Sequence, residues 1–378
     1  MIELKGLHNT ALVFAKGLDE KSERQIKTWL DHPLFADTKV RLMPDVHVGV
    51  GVTIGFTVTM NEYVVPHVVG VDIGCGVNAY KLSKGSMDFD KLDKYIRKTI
   101  PAGKGVNKEL HPLAEKAFRY LKANIGFDEF IEQVKGTAER VELPVDRVLE
   151  SIGSLGGGNH FIEVDTDETG CRWLLIHSGS RCFGNGIALF HTDKAIKQTH
   201  EDSPIKFLSG KSKEAYIEDM KLAQLYARLN RVLMGFQIAC DFFKVAHDEF
   251  ESVESIHNYI DFEDGIVRKG AISARKGEKL VIPFSMADGA VIGYGKGNEE
   301  WNSSAPHGAG RKLSRTQAKG LSLDEFQKRM SHVWSSCVSK DTLDESPMAY
   351  KRTADILDYL EDTVDVTERL TPVYNFKA

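Results

Sequence analysis

Ten residues, Val68-Val-Gly-Val-Asp-Ile-Gly-Cys-Gly-Val77, constrain the fold of this chain more than any other stretch. Gly70, Gly74 and Gly76 let the backbone turn tightly, and the apolar Val64-Val65 pair leading in predicts that the loop leaves a buried strand. Asp72 and Cys75 lie three residues apart on that loop, a hard carboxylate beside a soft thiolate. The pair reads as half of a metal site and directs attention to the thirteen histidines.

A chain of 378 residues can bury a substantial core, and 42% apolar with 27% charged residues is ordinary globular composition. No stretch approaches the roughly 20 continuous apolar residues of a membrane helix. The N-terminus, Met1-Ile-Glu-Leu-Lys-Gly, lacks the basic and then apolar order of a secretory signal. Five cysteines without a CxxC pair exclude a disulfide framework and a zinc finger. A cytoplasmic protein without membrane partners is expected, in a reducing setting that would preserve a thiolate ligand. The net charge of −5 gives no overall pull on nucleic acid. Arg268-Lys269, Arg275-Lys276, Lys279 and Arg311-Lys312-Leu-Ser-Arg315 nevertheless gather positive charge, which either meets a phosphate-rich partner or is solvated surface.

Short β-branched runs broken by glycine and proline predict strands over 40–43, 53–59 and 64–69, and again over 173–176, 280–283 and 290–293. Helical periodicity marks 88–99, 109–121, 127–139 and, longest, 214–247. The Lys-, Ser- and Gly-containing stretch 203–213 reads as an exposed insertion. Strands, then helices, then strands predict a single α+β domain over 1–378, with mixed sheets surrounded by helices and a helical insertion at about 203–248. No GxGxxG opens a helix after a strand and no P-loop is present, so a Rossmann or Walker-type nucleotide site is not expected.

Five clusters place a histidine among glycine, serine or asparagine at the end of an apolar run: Met43-Pro-Asp-Val-His47, Ser154 to Glu163 around His160, Ile176-His-Ser-Gly-Ser-Arg181, Ser255-Ile-His-Asn-Tyr259, and Ser304 to Arg311 around His307. His8, His32, His111, His191, His200, His247 and His332 lack such settings and read as structural. Thiolate, carboxylate and imidazole together suit a transition ion, with Zn²⁺ first by softness. A thiolate can also bridge two ions, which suits phosphoryl chemistry. His307, followed by Gly-Ala-Gly-Arg, is open to three roles: metal ligand, general base, or nucleophile forming a phosphoramidate.

The strings MPDVHVGVG, VGVDIGCG, GGGNHFIE, IHSGSR, HNY, SARKG, SAPHGAGRKLSR and ESPMAYK, in this order from about residue 40 onward, resemble the RtcB family of RNA ligases. That resemblance implies joining of RNA 2′,3′-cyclic phosphate or 3′-phosphate ends to 5′-hydroxyl ends, with GTP and two Mn²⁺ ions, in RNA repair or tRNA splicing. It leaves room for an activating partner protein. By motif position His307 resembles the guanylylated nucleophile and Asp45 the carboxylate that orients it. Cys75 resembles the ligand shared by two ions, with Asp72 and His160 completing one site and His177 and His257 the other. The guanylate pocket would draw on Asn159, His160, Phe161, Ile162 and Glu163, on His257 and Asn258, and on Pro283, Phe284, Ser285 and Met286. His307, Gly308, Ala309, Gly310 and Lys377 would complete it. Arg181 and Arg311 would meet phosphate.

Several positions depart from the family pattern. Phe284 stands at a usual glycine, Ala290 at a serine expected to touch the nucleotide, Cys182 at a common glycine and His67 at a small residue. The chain is also somewhat short, so a divergent branch is expected. A metal-dependent phosphohydrolase or cyclic phosphodiesterase acting on RNA ends would keep the same ligands without guanylylation. A third reading keeps only RNA-end binding.

Overall fold

The computed structural model describes residues 1–246 and 251–377. The runs at 40–43 and 53–59 form the antiparallel strands Val40–His47 and Ile54–Thr59. The first extends beyond its apolar run, and its register shifts between Leu42 and His47. Pro44 has no N–H for the ladder, and the irregularity beside it takes Asp45 out of regular pairing. These two strands sit inside a six-stranded sheet ordered Ile2–Lys5, Thr10–Val13, Val40–His47, Ile54–Thr59, Ile266–Lys269, Asn258–Asp261.

A seven-stranded sheet is ordered Lys279–Pro283, Ala290–Gly295, Val364–Lys377, Phe161–Thr166, Arg172–Ser178, Gly76–Lys81, Ser252–Ile256. A short pair, Ala271–Ser273 with Ser304–Pro306, completes the sheets among the described residues. The expected strands at 173–176, 280–283 and 290–293 all lie in the larger sheet. The 14-residue strand Val364–Lys377 was not expected: its first half is largely exposed and Pro372 interrupts it, so no clean alternation marks it. It pairs with Ala290–Gly295 on one side and Phe161–Thr166 on the other.

The strand expected over 64–69 is not formed. Val64 makes a lone bridge to Leu208, and Pro66–Val69 is a short helix with Pro66 in its first turn, where a missing N–H costs nothing. Asp88 caps the helix Phe89–Thr99 by accepting from Lys91 N, and Phe127–Arg140 forms as expected. The 109–121 helix shortens to Ala114–Tyr120, because Pro112 disfavours helical geometry at the residue before it. Sequence periodicity misses the helix Arg181–Gln198, which contains Gly184 and Gly186 and buries residues around much of its circumference.

The longest helix runs from Gly210 to Gly235 and passes into a π-helical turn, Phe236–Phe242; His247 lies outside the described residues. This helix belongs to the core, packing on Arg181–Gln198 and Arg172–Ser178 with Asn230 and Arg231 fully buried. The 203–213 stretch before it buries Ile205 and Leu208, so it is only partly exposed. No helix among the described residues is long and apolar enough to cross a membrane.

The fold holds the 70–76 loop closely. Gly74 has a φ of +71°, and a Cβ on Gly76 would lie 2.6 Å from the backbone oxygen of Ser255. Backbone cannot step aside as a flexible side chain can. Gly76→Ala should therefore destabilise the protein by about 1–3 kcal/mol, read as a lower urea midpoint at unchanged slope.

Candidate active site

Neighbouring strands bring the metal-type donors to one level of the larger sheet. His177 pairs with Phe161 on one side and Val77 on the other, and Val77 pairs with Ser255. Cys75, His160 and His257 lie within two residues of that row. His257 N–H also donates to the Cys75 carbonyl at 2.9 Å, and Gly74 N–H to the Asn258 carbonyl at 2.7 Å. Asn258 is thereby a tie between loops, and its side chain bonds Gly270 N–H.

The donors form a chain of contacts. Asp72 Oδ2 lies 3.0 Å from His160 Nε2, which is 3.5 Å from Cys75 Sγ. Cys75 Sγ is 3.3 Å from His177 Nε2, itself 3.3 Å from His257 Nε2. The thiol sits in the middle of five donors, as a ligand shared between two sites would. His160 donates Nδ1–H to the Leu155 carbonyl at 2.8 Å, which leaves the Nε2 lone pair facing the Asp72 carboxylate. Either a proton or a metal ion between these two groups satisfies both.

The electrostatics agree. Burial pushes the His177 and His257 imidazoles well below their usual values, so both are neutral and able to ligate. Burial, reinforced by Asp72, drives the Cys75 thiol far up. Only a bound cation would make it a thiolate here. Burial tends to raise Asp72, but its contact with His160 outweighs this and holds the carboxyl at about 2. Cys75, His160 and His177 bring their donor atoms close enough together to hold one metal ion, and their mix of thiol and imidazole fits a divalent transition ion.

His307 follows the strand Ser304–Pro306, and its ring centroid lies 4.9 Å from that of His257. Asp45, fully buried, accepts from His307 twice: Nδ1 at 2.6 Å and the backbone N–H at 3.2 Å through the same Oδ2. Gly310 allows this approach, since a Cβ there would lie 2.2 Å from the Asp45 carbonyl oxygen. With Nδ1–H held by the carboxylate, Nε2 keeps its lone pair.

A cavity of about 1290 Å³ opens beside these groups and is lined by Asp72, Cys75, His177, His257 and His307. Asn159, Phe161, Glu163, Asn258, Pro283 to Met286, Gly308 to Gly310 and Lys377 also reach it, whereas His160, expected in the same pocket, does not line it. Nor does Ile162: β alternation turns its side chain away from Phe161 and Glu163 into an apolar cluster with Leu155 and Val164. Ala290 likewise packs in the core with Val281 and Ile292, so a hydroxyl there would not face the cavity. Phe284 does form part of the wall.

Both arginines expected to meet phosphate carry protein partners, although Arg311 also lines the cavity. Arg181 bonds Ser154 Oγ and the Gly103 carbonyl and packs over Gly156. Arg311 bonds the Leu313 and Asp344 carbonyls and Glu345. Most of the basic run at 268–279 is not free surface either, although Lys276 is exposed. Arg268 is fully buried on Asp261 and Asp264, Arg275 pairs with Asp261 and Glu263, and Lys279 with Glu251. Sequence reasoning missed Glu345, which holds Lys377 at 2.9 Å and Arg315 at 2.6 Å, and Asn375, which bonds Glu163 at 2.5 Å. Glu345 stands inside the ESPMAYK string, but only the fold shows what it touches.

The description tRNA-splicing ligase RtcB fits residues 25–378 as a family. RNA-splicing ligase RtcB of Escherichia coli (strain K12) is 32% identical, over 91% of each chain. tRNA-splicing ligases RtcB of Nanoarchaeum equitans and Archaeoglobus fulgidus are 27% and 28% identical, over 87% and 84% of this chain and 84% and 82% of theirs. With the ordered motifs brought together around one cavity, this protein belongs to the RtcB family.

Proposed function

We propose that the protein joins RNA ends in the cytoplasm: a 3′-phosphate or 2′,3′-cyclic phosphate on one strand and a 5′-hydroxyl on the other. The reaction consumes GTP, needs Mn²⁺ and passes through a guanylylated His307. The observation that carries this reading is the 2.6 Å contact of Asp45 with Nδ1 of His307 beside the five-donor cluster. That contact fits a nucleophile better than a ligand or a surface histidine.

His307 Nε2 attacks the α-phosphorus of GTP, the bond to pyrophosphate breaks, and Asp45 steadies the proton on Nδ1. Bound divalent ions would supply positive charge for the phosphate oxygens. A 2′,3′-cyclic phosphate is first opened by water to a 3′-phosphate; GMP then passes from His307 to the 3′-phosphate, and the 5′-hydroxyl displaces it. Softness alone favours Zn²⁺, but a tightly held soft ion can inhibit, and the family resemblance favours Mn²⁺.

The guanine fits the buried end of the cavity, where Glu163, Asn375 and Lys377 converge. Burial raises the Glu163 carboxyl, and Asn375 and Lys377 oppose that rise. A guanine edge that donates two N–H groups, which adenine lacks, would draw Glu163 into its ionised, accepting form. Glu163→Gln should therefore cut the preference for GTP over ATP in labelling roughly 10- to 100-fold, measured by competition.

The decisive experiment is incubation with GTP labelled at the α-phosphate, across Mn²⁺, Zn²⁺, Co²⁺ and Mg²⁺. Label that is acid-labile and base-stable, as a phosphoramidate is, supports the reading. No label with any ion refutes it, and 3′-phosphate release without GTP consumption would establish the cyclic phosphodiesterase instead.

A further inference from the structure

Asp45 holds two histidines. Its carboxylate takes Nδ1 of His307, and its backbone carbonyl takes Nδ1 of His47 at 2.8 Å. A carbonyl oxygen only accepts, so Nδ1 of His47 carries the proton and Nε2 keeps a lone pair. That Nε2 has no protein hydrogen-bond partner among the described residues, and His47 lines the same cavity as His307.

The cavity lining is graded in exposure. Asn375, Glu163 and Lys377 are 1%, 2% and 6% exposed, whereas Gly17, Asp19, Lys21 and Val50 stand open to solvent. His47 is half-buried at the root of the loop that carries Val48 and Val50 out to solvent. An RNA strand arriving after the nucleotide has filled the buried part enters past these exposed residues.

The loop is held rather than loose. Lys351 Nζ donates to the carbonyls of Pro44 and Val46 at 3.0 and 2.7 Å, and Lys269 Nζ donates to the Val50 carbonyl at 2.6 Å. These two ammonium groups fix the backbone on either side of His47. A group placed so firmly, with one nitrogen tethered and the other free, is arranged for proton transfer.

Resting on the ligase reading, we propose that His47 accepts the proton of the incoming 5′-hydroxyl in the sealing step. The 5′-oxygen bonds to the RNA 3′-phosphorus, and the phosphoanhydride bond to GMP breaks, its electron pair leaving on GMP. The hydroxyl proton passes to His47 Nε2, and solvent takes it after the product leaves. Burial lowers this imidazole to about 4, the Asp45 contacts oppose that, and His307 and Lys351 add to the lowering. His47 is thus neutral before the RNA arrives, and the anionic phosphates of the bound ends raise its basicity where it is needed.

The test uses RNA already carrying GMP on its 3′-phosphate and two acceptor strands, one with a 5′-hydroxyl and one with a 5′-thiol. A thiol ionises several pH units below an alcohol hydroxyl and so needs much less help from a base. His47→Gln should slow joining to the hydroxyl strand roughly 100-fold and to the thiol strand less than about 5-fold. His47→Asn, whose amide can still reach the Asp45 carbonyl, should show the same inequality. The ratio of the two losses does not depend on how much variant is folded. Equal losses on both strands, or no loss on the hydroxyl strand, overturn the proposal. A wild type that joins neither strand removes the ligase reading itself.

Discussion

Asp45→Asn is expected to slow guanylylation of His307 by about 10³- to 10⁴-fold while the thermal midpoint stays within a few degrees of wild type. The carboxylate can only accept, and its Oδ2 takes both the ring Nδ1–H and the backbone N–H of His307. An amide offers two arrangements, and neither reproduces the carboxylate. If its NH₂ faces the ring, the tautomer inverts, Nε2 carries the proton, and no lone pair meets the α-phosphorus. If its oxygen faces the ring, the NH₂ takes the place of Asp45 Oδ1, which is buried without a partner. A buried donor left unmatched there costs about 1–3 kcal/mol. The magnitude follows from carboxylate-to-amide changes behind catalytic histidines, where a wrong tautomer costs on the order of 10⁴. His307→Ala sets the floor, with no label at all. Labelling by Asp45→Asn within about tenfold of wild type would show that the tautomer account is wrong.

Cys75→Ala should abolish guanylylation and sealing together, by roughly 10³-fold or more, and should lower the bound metal measured after dialysis. The thiol lies between His160 and His177, and it is central to a chain that runs from Asp72 to His257. Its removal leaves neither half with its shared ligand. Several kcal/mol of charge stabilisation by bound ions corresponds to about 10³ in rate. Unchanged guanylylation with sealing alone lost would mean that the two steps do not draw on a common thiolate.

Much of the site was legible because its chemistry is carried by rare residue types in distinctive glycine settings. Asp72, Cys75, His160, His177, His257 and His307 stand out in sequence, and the fold gathers them. Placement across the strand was legible only in part. Nothing in the order Phe161-Ile-Glu163 says which two residues face the cavity until the sheet assigns its faces. Charge was the least legible. Arg181, Arg268 and Arg311 read as phosphate contacts or surface, yet each meets carbonyls or carboxylates from distant segments. Val64–Val69 misled for a local reason, since β-branched residues after a proline can still close a helical turn. Asn375 gave no signal, and Glu345 none beyond its place in ESPMAYK, because their roles rest mainly on partners far away in the chain.

That distance has a kinetic consequence. Asn375 meets Glu163 across 212 residues of sequence, through a strand laid between two others in the middle of a sheet. Contacts of such range are closed late, since the intervening chain must lose its freedom before they are rewarded. The buried end of the cavity is therefore the last part of the molecule to become competent. In a refolding experiment followed by two probes, far-UV signal should recover well before nucleotide binding does, with the Val364–Lys377 strand setting the interval.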